Sequence, residues 1–252
     1  MARVAIITGA TGGLGTEFVR VINSYASVDE IWAVGRNNDK LNKIKEVYNK
    51  VIPVRADFAD DGMEIVSRKI EEEKPDIRLL INNAGVGYLG KYENMGPESV
   101  KEFCSINCTV PAELISVSLP YMQEDAGILN VSSASSFQPN PYLALYSASK
   151  VFVKNLSRAL NVELKPRKIT VTAVCPGWVD TDMLPREKDG RKIKYTGMIS
   201  AEKVVEKALR DNRRGKDMST PGFFSKYFRF YSKVIPTRIV MEQWTAIIGK
   251  YL

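Results

Sequence analysis

The chain has 252 residues, 44% of them hydrophobic and 26% charged, which suits one well-filled globular domain spanning residues 1–252 and excludes disordered and fibrous classes. It contains no histidine, which excludes Ser-His-Asp and Cys-His catalysis and every His-ligated metal site, and no metal is expected. Its 36 basic and 29 acidic residues give a net charge of +7, with much of the excess after residue 185; without a nucleic-acid-binding module, a solvated basic face accounts for it.

In chain order, Val4-Ala5-Ile6-Ile7 is too short for a secretory signal and reads as a strand. Further apolar, β-branched runs follow at residues 31–34, 51–54, 79–81, 127–132 and 169–175, with a short one near Met218, and amphipathic stretches fill the intervals. That alternation predicts an α/β, doubly wound Rossmann-type fold: a seven-stranded parallel sheet with helices on both faces. No apolar run reaches the roughly 18 residues of a membrane span, so a soluble protein is expected.

The first strand ends in Thr8-Gly9-Ala10-Thr11-Gly12-Gly13-Leu14-Gly15 and runs into a predicted helix over residues 16–25. Glycines admit a pyrophosphate close to backbone amides, and the helix N-terminus supplies unpaired N–H groups, so strand, turn and helix together predict a phosphate site. Cys104, Cys108 and Cys175 are an odd set. They read as small apolar fillers in a reduced, cytoplasmic protein. Tyr146 and Lys150 stand four apart, hence on one helix face. A neighbouring ammonium favours the phenolate, which is expected to bring Tyr146 toward acid/base work near neutral pH. Ser133 follows a predicted strand end, where sites form in parallel sheets.

Together these motifs resemble the short-chain dehydrogenase/reductase family in its compact form, over residues 3–220: TGATGGLG at 8–15, Asp57, NNAG at 82–85, Asn107, Ser133, YSASK at 146–150 and PGWVDT at 176–181. The resemblance implies that Tyr146 protonates a carbonyl oxygen, Ser133 hydrogen-bonds it, Lys150 lowers the Tyr146 pKa and holds the nicotinamide ribose, and Asn107 holds a water leading to Lys150. It implies cofactor contacts at Thr8, Gly9, Thr11, Gly13, Leu14 and Gly15. Others are implied at Asp57 and Phe58 beside adenine, at Asn83, Ala84 and Gly85, and at Pro176, Gly177, Val179 and Thr181 under the nicotinamide. Asn82 would brace the sheet. The second strand ends in Gly35-Arg36, where an NAD enzyme of this kind carries an acid; Arg36 is expected to take the 2′-phosphate of NADP(H), with NAD(H) a secondary cofactor.

The expected function is therefore NADPH-dependent carbonyl reduction or alcohol oxidation on a small molecule, against the alternative of a catalytically silent cofactor-binding scaffold or redox sensor. Trp178 and Tyr142 suit a substrate pocket or plain core packing equally. Residues 182–200, with Met183, Leu184, Met198 and Ile199, correspond to a substrate lid. The resemblance implies a homodimer or homotetramer through the helices around Asn107 and Tyr146, where Leu114, Ile115, Phe152 and Leu156 suit either that contact or packing against the sheet. No nucleic-acid partner is expected. From about residue 221 an appendage begins, in which Phe223, Phe224, Tyr227, Phe228 and Tyr231 alternate with Lys226, Arg229 and Lys233. It is expected to fold back as helices beside the substrate entrance, either packing on the body or touching a membrane or another subunit.

Overall fold

In the first strand, β1 (Arg3–Thr8), Val4 and Ile6 face one apolar cluster while Ala5 and Ile7 face another. A period-two strand covered on both sides must read as continuously apolar. The computed structural model describes residues 1–181, 184, 187–188, 191–192, 195 and 197–248.

α1 (Gly13–Ile22), β2 (Glu30–Gly35), α2 (Asn38–Val47) and β3 (Val51–Arg55) follow β1. α3 (Gly62–Glu73) then leads to β4 (Asp76–Asn82), α4 (Pro97–Cys104), α5 (Val110–Ser118) and β5 (Gly127–Val131). α6 (Ala144–Glu163) and β6 (Thr170–Val174) complete the second half. β7 (Val179–Asp180) pairs with β10 (Ile199–Ser200), and β8 (Glu187–Lys188) with β9 (Arg191–Lys192), before α7 (Ala201–Arg213) and β11 (Met218–Ser219). The sheet is seven-stranded and parallel, in the order β3-β2-β1-β4-β5-β6-β11. Its order reverses between β1 and β4, the crevice where open α/β sheets take ligands.

One face of the sheet packs Val66 and Ile70 of α3 with Val110, Leu114 and Ile115 of α5. The other packs Phe18, Val19 and Ile22 of α1, Leu41 and Ile44 of α2, and Val204, Val205, Ala208 and Leu209 of α7. Leu114 and Ile115, which suit either a subunit contact or the sheet, are thus core residues, whereas Phe152 of α6 is 42% exposed. The edge strand β3 has Pro53 at its centre, which removes one backbone donor, and ends in the exposed Arg55. At the other edge, both residues of β11 are buried.

The predicted elements are all present with shifted ends. α1 starts at Gly13 rather than at residue 16, because the glycine turn itself winds into the helix: a Cβ on Gly15 would come 2.1 Å from the Gly9 carbonyl oxygen. β5 ends at Val131, the Ser132 amide still donates to the Val174 carbonyl of β6 at 2.8 Å, and Ser133 is the residue that turns away. Residues 105–109 form one π-helical turn between α4 and α5. This wide turn, common at functional sites, parts Cys104 from Cys108; both are only half-buried, and Cys175 alone is a core thiol. The appendage folds as α8 (Phe223–Val234) and α9 (Thr237–Ile248).

Candidate active site

The glycine turn is held by β4. Thr8 Oγ1 accepts the backbone N–H groups of Asn83 and Ala84, both at 3.0 Å, and Asn83 Nδ2 donates to the carbonyls of Thr8 (3.0 Å) and Gly9 (3.1 Å). Thr8 and the Asn83 amide therefore act here as braces of the loop, their side chains already engaged within the protein. Gly9 adopts φ +62°, with Ala84 Cα only 3.0 Å from where a Cβ would stand. Gly13 is pressed against Thr181, whose Cγ2 lies 2.5 Å from the position of an added Cβ. Gly12 caps α1 with no side-chain hydrogen bond, leaving that helix's first N–H groups for an anion beside Thr11, Gly13 and Leu14.

Asn82 braces the sheet as expected: its Nδ2 donates to Asn130 Oδ1 at 2.8 Å, and Asn130 Nδ2 donates to Ser157 of α6 at 2.9 Å. Asn107 pairs both ways with Val86, accepting its N–H and donating to its carbonyl, each at 2.9 Å. These two bonds engage one donor and one lone pair of the side chain and fix its orientation.

Ser133 begins a short turn and accepts from the Ser135 amide at 3.1 Å, and its hydroxyl stands near enough to the Tyr146 phenol to lower its pKa. Lys150 Nζ donates to the Val131 carbonyl at 2.9 Å and lies 5.5 Å from the Tyr146 ring centre. Burial pushes the Tyr146 phenol above its ordinary value, opposed by the Ser133 hydroxyl. The expected lowering by Lys150 is therefore not what the protein does in this state, because desolvation of the phenolate wins. Lys150 is itself taken down to about 8 by burial. A Cβ on Gly85 would stand 3.0 Å from Asn107 Oδ1 and 3.4 Å from Lys150 Nζ, so glycine there keeps a polar niche open in front of both.

Beyond β2 and β3, Arg36, Asn37, Asn38, Asp39 and Arg55 line an open depression of about 410 Å³. Arg55 was not singled out by its sequence context; it joins Arg36 because Gly35 and Arg55 are register partners. Asp57 is half-buried and accepts the Ala59 amide at 3.1 Å through one oxygen. Phe58 follows Asp57 with its ring buried in the core with Trp32 and Val66, so its backbone is the part left to meet a cofactor.

The Pro176 carbonyl accepts the Ala134 amide at 2.7 Å, tying its loop to the Ser133 turn. Val179 is buried and paired with Ile199. Trp178 stacks on Trp244 of α9, ring centres 6.4 Å apart and planes within 19°, and meets Tyr195 at 5.0 Å. Of the expected lid, Asp182, Met183, Arg186 and Lys194 lie outside the described residues.

A family model for short chain dehydrogenase matches residues 3–192. The chain belongs to the short-chain dehydrogenase/reductase family. This family member is 32% identical over 218 residues to the very-long-chain 3-oxoacyl-CoA reductase of Mus musculus, covering 82% of this chain and 67% of that one. It is 30% identical over 189 residues to the 3alpha-hydroxysteroid dehydrogenase of Mediterraneibacter gnavus, covering 72% and 76%. The solved short-chain dehydrogenase of Sphingobium yanoikuyae in complex with NADPH shares the fold, with a TM-score of 0.76 and 22% identity over 93% of this chain and 96% of that chain. Family membership makes the protein an NAD(P)-dependent oxidoreductase.

Proposed function

We propose that the protein reduces a ketone or aldehyde, or oxidises the corresponding secondary or primary alcohol, with NADP(H) as preferred cofactor. The observation that carries this reading is the grouping of Ser133, Tyr146 and Lys150: Ser133 acts on the Tyr146 phenol, Lys150 Nζ lies 5.5 Å from the Tyr146 ring centre, and Lys150 with Asn107 faces the niche kept open by Gly85. The residues present suit the cofactor: an uncapped helix N-terminus for the pyrophosphate, the Gly85 niche for the ribose, and Arg36 with Arg55 for a 2′-phosphate. When bound, the nicotinamide supplies or accepts the hydride. The chain's own part is proton handling and orientation. Ser133 fixes the substrate oxygen, and Tyr146, whose pKa is raised further above neutral, delivers its phenolic proton to that oxygen during reduction. Lys150, fixed by Val131, holds the ribose and offers positive charge to the phenolate left behind.

A panel of carbonyls and alcohols, followed by absorbance of the reduced nicotinamide with each cofactor, tests the reading. Tyr146→Phe is expected to cut turnover by at least ~10²-fold while leaving cofactor affinity nearly unchanged. Absence of turnover across the panel, or full turnover in Tyr146→Phe, would reject it, the first outcome favouring the silent scaffold. Three free thiols, with no disulfide among the described residues, favour a cytoplasmic protein. We assign the protein a homodimeric or tetrameric state through the exposed side of α6 around Phe152. Light scattering that returned a single chain of 28.2 kDa would reject that assignment.

A further inference from the structure

α8 has two faces of different character. The inner face is committed to the protein: Ser225 Oγ donates to the Cys175 carbonyl at 2.5 Å, the Phe224 ring lies 3.1 Å from where a Cβ on Gly177 would stand, and Phe224 stacks on Phe228 at 5.8 Å. The outer face is a stripe of Phe223, Tyr227, Phe230 and Val234, which are 84%, 50%, 66% and 56% exposed. Their spacings of four, three and four keep them on one side of the helix. Folding alone would have put serine or glutamate there, and a contiguous exposed apolar row of this kind marks an interaction surface.

The charges say which kind. α8 carries Lys226, Arg229 and Lys233 and no acidic residue. Arg229 and Lys233 also stand close enough to Lys154 of α6 to join burial in holding its pKa below the ordinary lysine value, so positive potential accumulates along this edge. A second copy docking face to face would oppose one cationic stripe with another, which disfavours a symmetric self-contact. Aromatic rings interleaved with lysines match instead the boundary between acyl chains and headgroups, where rings sit among the headgroups and ammonium groups meet lipid charge. Among the described residues no helix is long and apolar enough to cross a membrane, so attachment would be peripheral.

We propose that the outer face of α8 docks on an anionic bilayer surface, with Phe223, Tyr227 and Phe230 entering the headgroup layer and Lys226 and Lys233 against anionic lipid. Because the opposite face of the same helix walls the Gly177 loop, docking would hold the substrate side of the protein next to the lipid.

The test is sedimentation of the full chain with phosphatidylcholine vesicles, with and without phosphatidylserine, at low and high salt. The expected result is binding only with phosphatidylserine, weakened by salt. Lys226→Ala/Lys233→Ala is expected to lower affinity about thirtyfold, and Phe223→Ser/Phe230→Ser to abolish binding with the circular dichroism spectrum intact. If the serine variant fails to fold, the lysine variant decides alone. Wild type that does not bind at low salt, or variants that bind as well as wild type, overturn the proposal. So does a serine variant whose only change is a smaller mass in light scattering, which would give the face to another copy of the chain.

Discussion

The indole N–H of Trp244 donates to the carbonyl oxygen of Pro141 at 2.9 Å, so the last helix grips the segment that leads into the Tyr146 helix. The same indole stacks on Trp178, two residues beyond Pro176. Between those two attachments α9 fixes the loop after Pro176 relative to the helix that carries Tyr146. Tyr142, next to Pro141, is held at φ +65° with its carbonyl accepting the Gly90 amide at 2.9 Å. A non-glycine residue in that region is strained and persists because its surroundings impose it.

Trp244→Ala should raise KM for bulky apolar carbonyls about tenfold, the scale of a lost aromatic pair, with a smaller effect on kcat. Trp244→Phe keeps a ring against Trp178 and loses only the hydrogen bond, and should recover most of the KM. Steady-state kinetics on both variants checks this; equal effects would assign the role to the hydrogen bond.

Cofactor choice should respond to both arginines of the depression beyond β2 and β3. Arg36→Ala is expected to lower the ratio of NADPH to NADH affinity about thirtyfold, the size of a lost charge-assisted hydrogen bond near 2 kcal/mol. Arg55→Ala should move the ratio in the same direction by a smaller factor. Fluorescence titration with each cofactor reads the ratio directly.

Lys150 carries a stability cost that activity requires. Its folded pKa is about 8 against an ordinary 10.5. Between those values the unfolded chain binds more protons than the folded one, so stability rises with pH across the window; below it the full penalty is present. Lys150→Met should therefore stabilise the protein at pH 7 by on the order of 3 kcal/mol, an advantage that fades above pH ~10, while turnover collapses. Urea unfolding at pH 7 and 10 measures the difference.

Asp211 ties α7 to β11, accepting from Lys207 (2.5 Å), Lys216 (2.8 Å) and Ser219 (2.7 Å). Burial alone would raise its pKa, but these hydrogen bonds bring it down to about 2. That contribution is present above pH ~4 and lost as pH falls through 2, so Asp211→Asn should cost on the order of 2 kcal/mol at pH 7 and little at pH 2. Thermal unfolding at the two pH values checks the sign.

The sheet was legible because strands buried on both faces must be apolar throughout, and β1, β2 and β4 announce themselves that way. Ser133, Tyr146, Lys150 and the glycine turn were legible as a family pattern. The Tyr146 pKa was not, because spacing reveals a neighbouring charge but not how far the phenol is taken from water. The choice for Leu114 and Ile115 between a subunit contact and the sheet stayed open for a related reason: an apolar residue on a helix does not declare which neighbour it packs against, and the fold gives both to the core. Trp244 and Arg55 went unnoticed since each reaches its place through tertiary contact; the signal that could have found Arg55 is its position at a strand end two residues before Asp57.

Both borders of the sheet bear on how copies of this protein can associate. β3 has a proline at its midpoint and a guanidinium at its end, while β11 is two buried residues long. Neither offers the run of free amides and carbonyls that an incoming strand would need as a template. Among the described residues, extension of the seven-stranded sheet into that of another copy, and the fibril growth that exploits the same geometry, are therefore disfavoured while the fold is intact.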